Sequence, residues 1–191
     1  MARVFLDVGS NIGQTIELLL SPRFKVDKIV GFDPSPICHD ILDRKFENNP
    51  RVTIVKAGLW SETCKMDLHN EGSQGASVHL DYETTCNPEP RITKCQFINA
   101  SEWFRENIFV GDEVFLKINA EGSECEIVMN LLESGEYNMV KSLLIDFDVR
   151  KSPSAKHQEG ELREKMKSMG IKNMNIYMGD HRNVLLQSVM R

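Results

Sequence analysis

One short stretch restricts the folds open to this chain more than any other. Val4-Phe5-Leu6-Asp7-Val8 is an apolar run closed by an acid, and Gly9-Ser10-Asn11-Ile12-Gly13 leads directly into Gln14-Thr15-Ile16-Glu17-Leu18-Leu19-Leu20. This is the pattern of a buried strand, a glycine turn and a helix start. Glycine supplies turn angles and close backbone approaches that other residues avoid. The first N–H groups of a helix have no partner within it and favour a polar or anionic group. A nucleotide-like ligand in an open α/β sheet follows as the first expectation.

The rest of the chain repeats the alternation. Strand patterns fall at 4–8, 28–33, 52–57, 113–119 and 143–147, and helical patterns at 12–20, 36–47, 123–134 and 155–169. Such alternation builds a parallel sheet covered by helices. Ser101 is the expected N-cap of a short helix at 101–104, and Ser123 that of the helix after the fourth main strand. Segments 175–178 and 184–189 flank Gly179-Asp180-His181-Arg182, which predicts an antiparallel C-terminal pair. The expected architecture is a Rossmann-like, mostly parallel seven-stranded sheet. The region 59–91 breaks the alternation. Its two short half-buried patterns, 65–69 and 76–80, read as a hairpin-like insertion, followed by a loop over 81–90 and a strand at 94–98. With 191 residues the chain is expected to form one domain, 1–191, carrying this insertion.

Composition removes several classes of function. A net charge of −5 argues against a nucleic-acid backbone as the main partner. The five cysteines are scattered without C-x-x-C spacing, which argues against zinc sites and redox dithiols and suits a cytoplasmic setting. No histidine pair has ligand spacing, so no metal site is expected. His39, His69, His79, His157 and His181 read as surface or satisfied polar residues. No apolar run has the length of a membrane span.

Three groups of residues carry the chemistry. Gly9 and Gly13 stand four apart, which is not the dinucleotide-binding G-x-G-x-x-G spacing. Asp7, at the carboxyl end of the first strand, can hold a ligand amine. Asp33 ends the second strand, where an acid accepts hydrogen bonds from ribose hydroxyls in doubly wound sheets; before Pro34 it also fits a plain turn aspartate. The third group is Leu116-Lys117-Ile118-Asn119-Ala120-Glu121-Gly122-Ser123-Glu124, a strand with a polar exit. If its strand neighbours the first, Asn119 and Glu121 share a crevice with Gly9.

These blocks resemble the signature blocks of FkbM-type methyltransferases: 7–15, then Gly31-Phe32-Asp33-Pro34-Ser35-Pro36, then 116–124. Ala57-Gly58-Leu59-Trp60 and Gly75-Ala76-Ser77 also fit that family's order, so the resemblance runs along nearly the whole chain. It implies a Rossmann-like enzyme that uses S-adenosylmethionine and generally O-methylates. Asp7, Gly9, Ser10, Asn11 and Gly13 would then surround the methionine part of the cofactor, with Thr15 closing the block. Asp33, followed by Pro34, would hold the ribose, and Gly58 or Leu59 would line the adenine. The family's lysine–isoleucine–aspartate block has asparagine here, at Asn119, which cannot act as a base but can orient a water or the cofactor amine.

The acceptor implied is a hydroxyl of a small molecule or sugar. Methyl transfer needs alignment, exclusion of water and, for a hydroxyl, a nearby base. Glu121, Asp146, Asp148 and His181 are candidates for that base, with Lys117 as an electrostatic helper. Other readings are a catalytically degenerate module that binds the cofactor and acts through a partner, an NAD-dependent oxidoreductase, and a nucleic-acid amine methyltransferase. The last carries an Asn/Asp-Pro-Pro-aromatic block where this chain has Asn119-Ala120-Glu121-Gly122. The chain starts almost at its first strand, so acceptor recognition is expected to fall to 59–91 or to a second chain, in a homo-oligomer or with a partner.

Overall fold

The structure, a computed structural model, describes residues 1–73, 75–84 and 91–178. Its central sheet has six parallel strands. In chain order these are β1 (Arg3–Val8), β2 (Lys28–Phe32), β3 (Val52–Val55), β7 (Glu113–Ile118), β8 (Val140–Ile145) and β9 (Met174–Ile176). They lie in the order β3-β2-β1-β7-β8-β9. The order reverses between β1 and β7, the position where open α/β sheets leave a crevice beyond the strand ends. Residues 28–32 pair in parallel on one side of β1 and 113–118 on the other. β9 pairs in parallel with β8; the expected antiparallel partner at 184–189 lies outside the described residues.

Both faces of the sheet are covered, so its central strands are mostly apolar. Val4, Leu6, Val30 and Leu116 pack with α3 (Ala100–Asn107), α4 (Glu124–Ser134) and α5 (Gln158–Ser168). Phe5, Ile29, Phe115 and Leu144 pack on the other face with α1 (Gln14–Leu19) and α2 (Pro36–Phe46). Each of these large side chains is almost fully buried, which contributes about 1.5–3 kcal/mol apiece. Alternation along β1 and β7 then dictates a further result. Asp7 follows Phe5 and Lys117 follows Phe115 on the same face, and the strand register sets Asp7 directly opposite Lys117.

The 59–91 region departs from the expected hairpin. β5 (Cys64–His69) pairs antiparallel with β6 (Ile92–Asn99), and β6 pairs in parallel with β4 (Gly58–Trp60). Residues 76–80 form no strand with β5; one isolated bridge, His69 to Ser77, joins them. The side sheet therefore forms from segments about thirty residues apart in sequence, and the strand expected at 94–98 belongs to it. Leu68, Cys95 and Phe97 make its small core. The α3 cap also differs: Asn99, not Ser101, caps the helix, because its Oδ1 accepts from Glu102 N at 3.0 Å and from Ser101 Oγ at 2.8 Å. Ser123 sits at the N-cap of α4 without a side-chain capping bond. Among the described residues no helix is long and apolar enough to cross a membrane.

Candidate active site

A cavity of about 790 Å³ opens beyond the carboxyl ends of β1, β2 and β7. Gly9, Ser10, Asn11 and Thr15 line it from the first turn, and Asp33 and Pro34 from the end of β2. Gly58 and Leu59 contribute from β4, and Lys117, Asn119 and Glu121 from the end of β7. The structure thus brings most of the expected site residues to one wall. Four expected residues stand elsewhere: Asp7, Gly13, Asp146 and Asp148 are not in the lining. His181 lies outside the described residues.

Asp7 is fully buried beneath the turn. Lys117 Nζ lies 2.8 Å from its Oδ1 and donates to Gly9 O at 3.2 Å, while Ser10 Oγ donates to Asp7 O at 2.8 Å. The strand-end acid therefore meets a lysine of this chain and fixes the shape of the turn. Gly9 has φ +76°, and a Cβ there would stand 1.8 Å from Asn119 O. Its lack of a side chain lets the β1 and β7 exits touch. Gly13 serves packing instead, since a Cβ there would meet the Phe46 ring of α2 at 2.4 Å. The turn also uses N–H groups expected for a ligand: Asn11 N donates to Asp33 Oδ2 at 2.8 Å and Gly13 N to Ser10 O at 2.8 Å.

Asp33 joins two loops. Besides Asn11 N, it accepts from Ser35 N at 2.9 Å. Burial outweighs these bonds and pushes its carboxyl up to about 6. Behind it lies Glu71, a buried acid that the sequence reading passed over. Its Oε1 accepts from Ser35 Oγ at 2.5 Å and its Oε2 from Thr93 Oγ1 at 3.4 Å, tying α2 to the side sheet.

The loop after β7 is the most constrained part. Glu121 adopts φ +49°, rare for a residue with a side chain. Glu124, fully buried, holds the loop from below. It accepts from Ala120 N and Gly122 N, each at 3.0 Å, and from Val149 N at 3.2 Å, while burial pushes it up to about 8. The Asn119 amide oxygen is buried and without a hydrogen-bond partner. Burial also pushes Glu121 up to about 7, where a carboxylate is a competent base near neutral pH. Tyr82, another residue that the sequence reading passed over, donates its hydroxyl to Glu121 Oε2. No local pattern marks Tyr82; only the fold brings it there. The opposed charges closing two otherwise apolar strands were the available signal for the Asp7–Lys117 pair.

Sheet order, glycine turn and switch-point cavity define a Rossmann-like fold. No family model matches the chain. The chain is similar to a curated protein named methyltransferase sdnD, from Sordaria araneosa, with 24% identity over 169 residues, covering 74% of this chain and 64% of that protein. It is also similar to the crystal structure of methyltransferase FkbM from Methylobacillus flagellatus KT. There the TM-score is 0.53 and the identity 15%, over 90% of this chain and 38% of the other. The chain spans less than two thirds of either relative. Together the two relatives support the resemblance to FkbM-type methyltransferases that the sequence blocks carry.

Proposed function

We propose that this protein transfers a methyl group from S-adenosylmethionine to a hydroxyl of a small molecule or sugar. The observation that carries the reading is the buried, unpartnered Asn119 Oδ1, on a cavity wall shared with the glycine turn and Asp33. A buried acceptor without a donor is costly, and a ligand N–H relieves that cost. The amine of the cofactor is such a donor, so the residues present fit it. Asn119 would hold the amine and Asp33 the ribose, while Gly58 and Leu59 would line the base. The cofactor, when bound, supplies a methyl group already activated on a sulfonium. Lys117 keeps its charge on Asp7 and Gly9 O and holds the turn in shape. Asp146 and Asp148 lie outside the lining and Asp33 is given to the ribose, which leaves Glu121 as the acid on the cavity wall suited to receive a hydroxyl proton.

Thermal shift and calorimetry with S-adenosylmethionine, S-adenosylhomocysteine and NAD test this reading. Ligand at a hundred times its Kd stabilises a protein by about 2.7 kcal/mol. The expected outcome is a shift with both sulfur ligands and none with NAD. A shift with NAD alone would favour an oxidoreductase. Binding without transfer to any hydroxyl would favour a cofactor-binding module.

A further inference from the structure

Segment 76–84 runs beside the cavity, and four of its ties reach the loop after β7 or the 148–151 turn. Ser77 Oγ donates to Glu121 O at 2.6 Å, and the His79 ring meets Gly122 O at 3.1 Å. Tyr82 donates to the Glu121 carboxylate, and Glu83 N donates to Lys151 O at 2.9 Å. Ala76 and Val78 of the segment line the cavity beside Glu121. Three of the four ties converge on residues 121 and 122, whose backbone is left-handed. We propose that Glu121 marks the acceptor end of the cavity: Glu121 receives the proton of an uncharged acceptor hydroxyl, and Tyr82, outside the lining and bonded to Glu121, is the positioning residue that aims it.

This rests on the methyl-transfer reading above and adds the acceptor's charge class and the group that orients the base. The hydroxyl oxygen forms its bond to the methyl carbon as the carbon–sulfur bond breaks. The sulfonium charge is neutralised, and the hydroxyl proton passes to the Glu121 carboxylate and later to solvent. Tyr82 occupies one oxygen, Oε2, and Lys151 Nζ stands 3.7 Å from that same oxygen, with the Asp148 carboxyl also hydrogen-bonded to Glu121. Burial raises the Tyr82 hydroxyl far above its ordinary value, so it remains a donor throughout the working range. Lys151 also lies over the Tyr82 ring at 5.6 Å and pairs with Asp148 at 2.8 Å. The charged and titratable groups around Glu121 are therefore Tyr82 and His79 from the segment, Asp148 and Lys151 from the 148–151 turn, and Glu124 from the start of α4.

The acceptor's charge follows from the lining. Among the described residues, the charged side chains on the cavity wall are Asp33, Glu121 and Lys117. Lys117 is already neutralised by Asp7. A carboxylate or phosphate on the acceptor would meet two acids and no uncommitted cation, whereas a neutral alcohol carries no such penalty.

The test combines a titration with a transfer assay. Carbon-13 labelling of glutamate carboxyls, with Glu121→Gln to assign the resonance, follows Glu121 between pH 4 and 9 in the ligand-free protein. The expected midpoint is near 7, moving up by roughly one pH unit in Tyr82→Phe, the equivalent of one lost bond to a charged group. Asp81→Ala loosens the segment elsewhere, at its bonds to Ser154, and is expected to leave the midpoint where it was. Transfer of labelled methyl from S-adenosylmethionine is measured on methyl glucoside, glycerol and benzyl alcohol against glycerate and glucose 6-phosphate. Transfer to the neutral alcohols is expected, with an acid limb that follows the titration midpoint in both wild type and Tyr82→Phe and a loss of roughly a hundredfold or more in Glu121→Gln. A midpoint with the ordinary carboxylates overturns the proposal. So does a Tyr82→Phe curve coincident with wild type, an equal shift in Asp81→Ala, preference for the charged hydroxyls, or no transfer by protein that binds S-adenosylhomocysteine. Failure to bind S-adenosylhomocysteine is a separate result and removes the methyl-transfer reading itself.

Discussion

The two walls of the cavity are built in different ways. The wall from β1, β2 and β7 is made of strand ends held by buried pairs, Asp7 beneath it with Lys117, and Asp33 with Asn11 and Ser35, while Asn119 Oδ1 is left without a partner. The wall from the side sheet and segment 76–84 is held onto the loop after β7 by hydrogen bonds between residues some forty positions apart. The first wall has no slack, as the 1.8 Å separation between a Cβ at Gly9 and Asn119 O makes plain. The second can be loosened one bond at a time. A rigid cradle suits a constant ligand, and a pinned segment suits a partner that must enter and leave.

Breaking the first wall produces the largest effect. Asp7→Ala leaves a lysine buried and unpaired, and the expected loss of stability is about 3–5 kcal/mol by urea denaturation. Replacing both partners, as Asp7→Leu with Lys117→Met, is expected to recover much of that loss, because the double variant leaves no lone buried charge. Equal losses in the single and double variants would show that the pair does not define this wall. Gly9→Ala comes next, at about 3 kcal/mol or more, since its Cβ forces the β1 and β7 exits apart.

Ligand binding separates the walls further. Asn119→Leu removes the unpartnered acceptor and is expected to weaken S-adenosylhomocysteine roughly ten- to a hundredfold, read by calorimetry. Asp81→Ala, on the pinned segment, is expected to change stability little and to leave that affinity unchanged. A large loss of affinity from Asp81→Ala would mean the segment also holds the cofactor.

The contrast extends to pH. Burial holds the carboxyls of Asp33, Glu121 and Glu124 at about 6, 7 and 8, above their ordinary values. A raised acid favours the folded state while it is protonated in that state, and this contribution is lost as pH rises through the folded value. The melting temperature is therefore expected to fall between pH 5 and 8.5. The lowered acids, Glu113, Glu136, Glu159 and Asp81, act in the opposite sense, below their ordinary range and outside this window. A flat profile from pH 5 to 8.5 would contradict the burial of the loop after β7.

The same division explains what the sequence made legible. Strands at 4–8, 28–33 and 113–119 and the turns after them were readable because each is specified within a dozen residues by apolar runs, glycines and helix starts. Their parallel arrangement follows from the intervening helices. The side sheet was misread as a local hairpin because β5 pairs with β6, more than twenty residues further along the chain, where periodicity carries no information. Asp7 was assigned to a ligand amine because a strand-end acid suggests one; its lysine is more than a hundred residues away, across the strand register. Tyr82 and Glu71 have no local pattern at all, and only tertiary structure gives them partners.

The most direct measurement is a crystal structure of the protein with S-adenosylhomocysteine. The account predicts density within the cavity, the ligand amine within hydrogen-bond distance of Asn119 Oδ1, the ribose hydroxyls at Asp33, and the sulfur turned toward Glu121. Ligand bound elsewhere, or with its amine away from Asn119, would contradict it.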